Sequence, residues 1–171
     1  MAHPFYDFYH NADQPNRNGL TFEYFLYEMG HSDMETMHNY IQWLFPGPTV
    51  SRMQRDAAPF KCTDAEYRRM ASDPIVMGRV HDAIAKVLGF WGITYDEDAQ
   101  AVHIRQRHEQ RFLDVLILHY DHNQARFTRL LTFLQKIGLP ELAAALFELV
   151  TNYEARIAPD VYAHWLGAMY P

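Results

Sequence analysis

Residues Met37 to Pro46 read MHNYIQWLFP: histidine, asparagine and glutamine set among apolar and aromatic side chains, and then a proline. Upstream, Ser32 and Glu35 match the capping-box pattern, in which each side chain bonds a backbone N–H at a helix start. Pro46 forbids continuation, so the spacing predicts one helix from about Asp33 to Phe45. Wound at about 3.6 residues per turn, that helix has three stripes. Met34, Met37, Ile41 and Leu44 are apolar, and Thr36, Tyr40 and Trp43 are largely aromatic. Glu35, His38, Asn39 and Gln42 fall at i, i+3, i+4 and i+7 on a polar edge. Two faces that want burial beside a coherent polar edge point to a helix packed into an all-α domain.

The flanking sequence repeats the theme. Thr21 is a candidate N-cap and Gly30 a candidate C′ residue for a short helix carrying Phe22, Phe25, Leu26 and Met29. The stretch GPTVSRMQRDAAPFKC lacks periodicity and reads as a surface loop. Thr63 and Glu66 repeat the capping-box pattern for a helix to Ala71, and Asp73-Pro74 is an N-cap and N1 pair. Val76, Val80, Ile84, Val87 and Trp91 hold one face of a helix to about Phe90. ITYDEDAQAVHI, residues 93–104, has β-branched stretches around an acidic turn and allows a small hairpin. Helical pattern resumes from Gln106 to Ile137, with Asp121 as a candidate N-cap where HYDHN divides it. Gly138 and Pro140 separate it from the next helix, and PDVYAHWLGAMY closes the chain. The expectation is an all-α bundle of about seven or eight helices forming one domain over residues 1–171.

Composition limits what such a domain does. The chain of 171 residues is 49% hydrophobic and 15% aromatic, a globular content. Its formal net charge of −6 argues against nucleic acid as a partner, since nonspecific binding to phosphates needs a basic surface. A lone cysteine, Cys62, permits no internal disulfide and suits a reducing, cytoplasmic compartment. The N-terminal MAHPFYDFYH has no basic segment followed by an apolar run, and no stretch approaches the roughly 20 apolar residues of a membrane span.

Catalytic signatures are missing from the pattern. Glu-x-x-His, used twice by carboxylate-bridged di-metal bundles, occurs at Glu28–His31 and Glu35–His38, but the copies flank a helix break instead of lying on two long helices. No metal or other cofactor is expected. Cys62 follows Lys61 near a helix start, a position that can lower a thiol pKa, yet a lone cysteine of this kind reads as a bystander. The basic run HIRQRHEQR, with Arg105, Arg107 and Arg111, reads as a solvated helix face. The His-Asn pair recurs at His10-Asn11, His38-Asn39 and His122-Asn123. Asn39 and Asn123 are candidates to approach one another and tie two helices together.

HNYIQWLFP, with FYHN near the start, LGFWGI at Leu88 to Ile93, Arg111-Phe112, HNQARFTRLL at His122 to Leu131 and LQKIGL at Leu134 to Leu139, resembles the conserved domain of the opioid growth factor receptor family. The resemblance runs from about Phe5 to Tyr153, and YIQWLFP is its most specific element. The family is known for an animal member that binds the enkephalin peptide Tyr-Gly-Gly-Phe-Met and restrains cell growth from the nuclear envelope region. It is unrelated to the seven-helix opioid receptors and brings no enzymatic activity. What the resemblance implies is this domain as a stand-alone form, without the long repeat-bearing, basic C-terminal region of the animal proteins.

Two functions follow as expectations. The first is a non-catalytic binding domain for a peptide or small molecule, with Glu35, His38, Asn39, Gln42, Trp43, His122, Asn123 and Arg126 as ligand-binding residues. The alternative is a small-molecule enzyme using Glu35, His38 and His122 for acid-base chemistry.

Overall fold

Helices begin where the sequence places caps. In the computed structural model, which describes residues 3–50, 61–99, 101–119 and 122–170, the Thr63 hydroxyl accepts from the Glu66 N–H at 3.2 Å and opens α4, Asp64–Ala71. The Asp73 carboxylate accepts from the Ile75 and Val76 N–H groups at 2.9 and 3.3 Å, at the start of α5, Pro74–Phe90. The chain is mostly helical, with about seven substantial helices among the described residues and one two-stranded antiparallel hairpin. Contacts along the chain divide it into two compact units, Met1–Lys86 and Val87–Pro171.

The first unit has an aromatic core. In α1, Pro4–His10, the alternation of large rings buries Phe5, Phe8 and Tyr9. Trp43 lies 5.3 Å from Phe5 and 5.7 Å from Phe8 between ring centroids, and Tyr9 lies 5.1 Å from Phe22, within the range where tilted and edge-on aromatic pairs are favourable. Buried hydroxyls find partners: Tyr9 donates to Leu44 O and Tyr67 to Pro46 O, both at 2.7 Å. Thr21 caps its helix as expected, accepting from Tyr24 N–H at 3.0 Å. That helix widens into a π-turn over Tyr24–Glu28, with Met29 N–H donating to Tyr24 O, and turns Phe25 and Met29 inward.

The expected helix from Asp33 to Phe45 is corrected to two. α2 spans His31–Thr36 and α3 spans Ile41–Leu44, and Met37 between them is extended at φ −83°, ψ 129°. Its start is also earlier than Ser32 and Glu35 indicate. Gly30 is the N-cap of α2 and not a left-handed C′ residue, with φ −88° and its N–H donating to Asp33 Oδ2 at 2.9 Å. The break has a visible cause. Tyr40 is fully buried, with its hydroxyl on Met34 O at 3.2 Å. Gln42, with its carboxamide nitrogen as donor, reaches His38 O at 2.9 Å and Asn39 O at 3.3 Å. Asparagine competes poorly for helix interior positions, and here the carbonyls released by the break are served by Gln42. The surface-loop expectation for GPTVSRMQRDAAPFKC falls largely on residues 51–60, outside the described residues.

The second unit is organised around α7, His122–Ile137, which packs against α8, Pro140–Thr151, and α9, Pro159–Met169. Asp121, its expected N-cap, lies outside the described residues. Gly138, at φ +93°, ends α7 and Leu139 N–H returns to Leu134 O at 2.9 Å, the closing bond of a Schellman turn. The hairpin allowed for residues 93–104 forms: β1, Ile93–Asp96, pairs with β2, Ala101–Ile104, in the register Ile93–Ile104 and Tyr95–Val102. Gly92 enters it at φ +82°, and a Cβ there would lie 2.9 Å from the His108 carbonyl, so only glycine satisfies both demands. α6, Glu109–Phe112, continues into a second π-turn, Leu113–Ile117.

Candidate functional site

The polar edge read along one helix does not exist as a helical stripe, because α2 ends before His38. Glu35 belongs to α2, His38 and Asn39 to the break, and Gln42 and Trp43 to α3. His38 is exposed, Glu35 and Asn39 are partly buried, and Gln42 and Trp43 are buried. Trp43 lines a cleft.

That cleft belongs to the first unit and has a volume of about 500 Å³. Phe8 and Trp43, both buried, are among its lining residues. α1 and its C-cap contribute Asp7 and Asn11, one turn apart on the same helix face, and the following loop contributes Gln14, Asn16 and Arg17. The loop wall is fastened. Asn16 Oδ1 accepts from the N–H groups of Asn18 and Leu20 at 2.9 and 3.1 Å, Asn16 N–H donates to Leu20 O at 2.8 Å, and Glu23 N–H donates to Ala12 O at 3.0 Å. Asn16 Nδ2 is buried without a hydrogen-bond partner, the cost of using that side chain to hold the turn.

α1 itself is anchored at both ends. Glu66, buried on α4, accepts from Phe5 N–H at 2.8 Å and Tyr6 N–H at 3.2 Å. The carboxylate that a capping box would turn back to its own helix thus caps α1 instead. Burial pushes the Glu66 carboxyl above its ordinary range, with the two backbone N–H groups pulling it back. At the other end Arg79 donates to Tyr9 O and His10 O, both at 2.6 Å. Asp73 Oδ2 accepts from the Tyr6 hydroxyl at 2.7 Å and lies 3.0 Å from His10 Nδ1. The Tyr6 bond is the main reason the Asp73 carboxyl is held below its ordinary range, and the same bond pushes the Tyr6 hydroxyl up. Cys62 is not activated: burial, then the Glu66 charge, drives its thiol well above the usual value, so the helix start beside it does not lower the thiol pKa.

In the second unit Asn123, Gln124 and Arg126 are buried on α7. Asn123 Oδ1 accepts from Trp91 Nε1 at 3.3 Å and from Arg126 at 3.0 Å. Gln124 donates to Leu116 O, and Trp165 Nε1 donates to Gln124 O. Phe127 meets the Trp91 and Trp165 rings edge-on, 5.7 and 4.9 Å between centroids. His122, at the start of α7, is partly buried. Arg111, expected on a solvated face, is half-buried and holds the end of α5 through Phe90 O at 2.6 Å.

Among the described residues no group of three or more His, Cys, Asp or Glu side chains converges as a metal would require, and no helix is long and apolar enough to cross a membrane. Asp7, Asn11, Gln14 and Asn16 were not among the expected site residues. DQPNRNG identifies a turn, but nothing in it announces that the turn forms one wall of a cleft.

The architecture defines a mostly helical protein with a small hairpin and aromatic-rich units. Residues 2–158 match the opioid growth factor receptor (OGFr) conserved region, and the chain belongs to that family. The opioid growth factor receptor of Mus musculus is 32% identical to it over 144 residues, covering 81% of this chain and 22% of the relative. That of Homo sapiens is 30% identical over 148 residues, covering 84% and 21%. The chain therefore spans about a fifth of the length of these curated relatives. No solved structure matches it.

Proposed function

We propose that this chain is a non-catalytic, cytoplasmic binding domain that takes a peptide or small molecule in the cleft of its first unit. The observation that carries the proposal is the cleft itself: about 500 Å³, within the size range of ligand pockets, with Phe8 and Trp43 in its lining beside the polar side chains of Asp7, Asn11, Gln14, Asn16 and Arg17. The fastened Asn16 turn supports a wall formed before ligand arrives, which lowers the ordering cost of binding. A buried, unactivated Cys62 fits a reducing compartment. The relatives' name, opioid growth factor receptor, together with the enkephalin peptide that the sequence resemblance implies, makes Tyr-Gly-Gly-Phe-Met the first ligand to try. Of the residues expected from sequence, Trp43 takes the ligand in this reading, whereas Asn123 and Arg126 hold the core of the second unit.

The test is a thermal-shift screen with that pentapeptide and a panel of metabolites, followed by NMR mapping of each hit. Ligands that bind the folded state raise the melting temperature, and hits are expected to move the signals of Asn11, Gln14 and the Trp43 indole. Hits that move only signals outside the cleft overturn the reading.

A further inference from the structure

Resting on that reading of the cleft, we infer that the ligand it selects is an organic cation: an ammonium or guanidinium carried beside an apolar or aromatic group, with Asp7 as its counter-ion. Two charged side chains line the cleft, Asp7 and Arg17, and they are not equivalent. Arg17 is already engaged within the chain. Asp7 is exposed on α1, and its carboxylate has neither ion pair nor hydrogen-bond partner among the described residues. Asp7 is therefore the charged lining group that no partner among the described residues holds, and it stands on a helix whose two ends are fixed by Glu66 and Arg79.

The neighbours of Asp7 suit the apolar half of such a ligand. Phe8 follows it in α1, its ring lies 5.7 Å from that of Trp43, and both residues line the cleft, so the group attached to an ammonium at Asp7 would lie beside aromatic residues. Asn11 and Gln14 add carboxamide oxygens able to accept from the remaining ammonium protons. The long-range field acts in the same direction, since a net charge of −6 draws cations toward the surface and repels carboxylates.

Three probes that share a phenyl ring separate charge from shape: phenethylamine, 2-phenylethanol and 3-phenylpropionate, titrated into ¹⁵N-labelled protein while the Asn11, Gln14 and Trp43 signals are followed. Phenethylamine is expected to bind about threefold to tenfold more tightly than the alcohol, as a partly exposed charge pair allows, with the acid weakest. Raising ionic strength narrows the gap. Asp7→Asn, an exposed and near-isosteric change, is expected to abolish the preference for the amine. The inference is overturned if the acid binds as tightly as the amine in the unaltered protein, or if folded Asp7→Asn protein keeps the preference. If none of the probes moves a cleft signal, the ligand-site reading falls and this inference falls with it. If the cleft signals respond equally to all three, only the charge assignment is lost.

Discussion

Two stretches of the molecule use a His-Asn pair in opposite ways. In the first unit His38-Asn39 interrupts the helix: the backbone leaves α2, and the buried Gln42 amide serves the carbonyls of both residues. In the second unit His122-Asn123 opens α7, and the fully buried Asn123 side chain is itself the hub that takes the Trp91 and Arg126 donors. One pair needs its backbone served and the other serves side chains. The difference teaches that a polar residue beside apolar ones signals burial of a hydrogen-bonding demand, and only the backbone decides whose demand it is.

The strongest way to break the comparison is Asn123→Ala. It strips Trp91 Nε1 of its Asn123 acceptor and Arg126 of one of its bonds, a buried loss expected to cost about 2–5 kcal/mol, measured by urea unfolding. A loss below about 1 kcal/mol would mean that Asn123 is no hub. Next comes Gly92→Ala in the same unit. The positive φ and the 2.9 Å approach to the His108 carbonyl together predict a loss of about 2–4 kcal/mol, with the hairpin amides exchanging faster in hydrogen-exchange measurements. Gln42→Leu tests the other side of the comparison. It keeps the volume but removes the donors at the break, for an expected loss of about 1–2 kcal/mol, and the amide signals of His38 to Tyr40 should shift most.

Much of the fold was legible because caps and prolines act locally. Thr21, Thr63, Asp73-Pro74 and Pro140 mark helix starts through bonds within four residues, and the structure has helices at each. The break at Met37 was not legible, because apolar spacing survived across it: Met34, Tyr40, Ile41, Trp43 and Leu44 are buried although α2 and α3 are two helices. The three His-Asn pairs held the missing signal. Asn11 caps the end of α1, Asn39 lies in the break, and Asn123 is in the first turn of α7, all places where an asparagine side chain competes least with helix bonds. Glu66 shows the limit of local patterns. Its position announces a capping box, yet its carboxylate serves α1, some 60 residues away, and no spacing rule reaches that far. The cleft was illegible for the same reason, since a wall made of Asp7, Asn11 and Asn16 depends on how a turn folds back on a helix.

The smallest effects separate two carboxylates that both anchor elements of the first unit. Asp73 is held low by the Tyr6 hydroxyl, so its folded-state pKa lies below the unfolded one. Its contribution is present above the ordinary carboxylate range and is lost as pH falls through the depressed value. Glu66 has the opposite sign. Burial raises its folded-state pKa, so its contribution is complete below the ordinary carboxylate range and declines as pH rises through the elevated value. Asp73→Asn should therefore lower stability at neutral pH, with the penalty vanishing in acid. Glu66→Gln keeps an oxygen for the Phe5 and Tyr6 N–H groups, and its stability relative to the unaltered protein should improve as pH rises from acid toward neutral. Unfolding curves of the three proteins across that range read both slopes. Parallel curves for Glu66→Gln and the unaltered protein would mean that the carboxylate capping α1 is as well solvated folded as unfolded, and that burial at Glu66 exerts no pull on its proton.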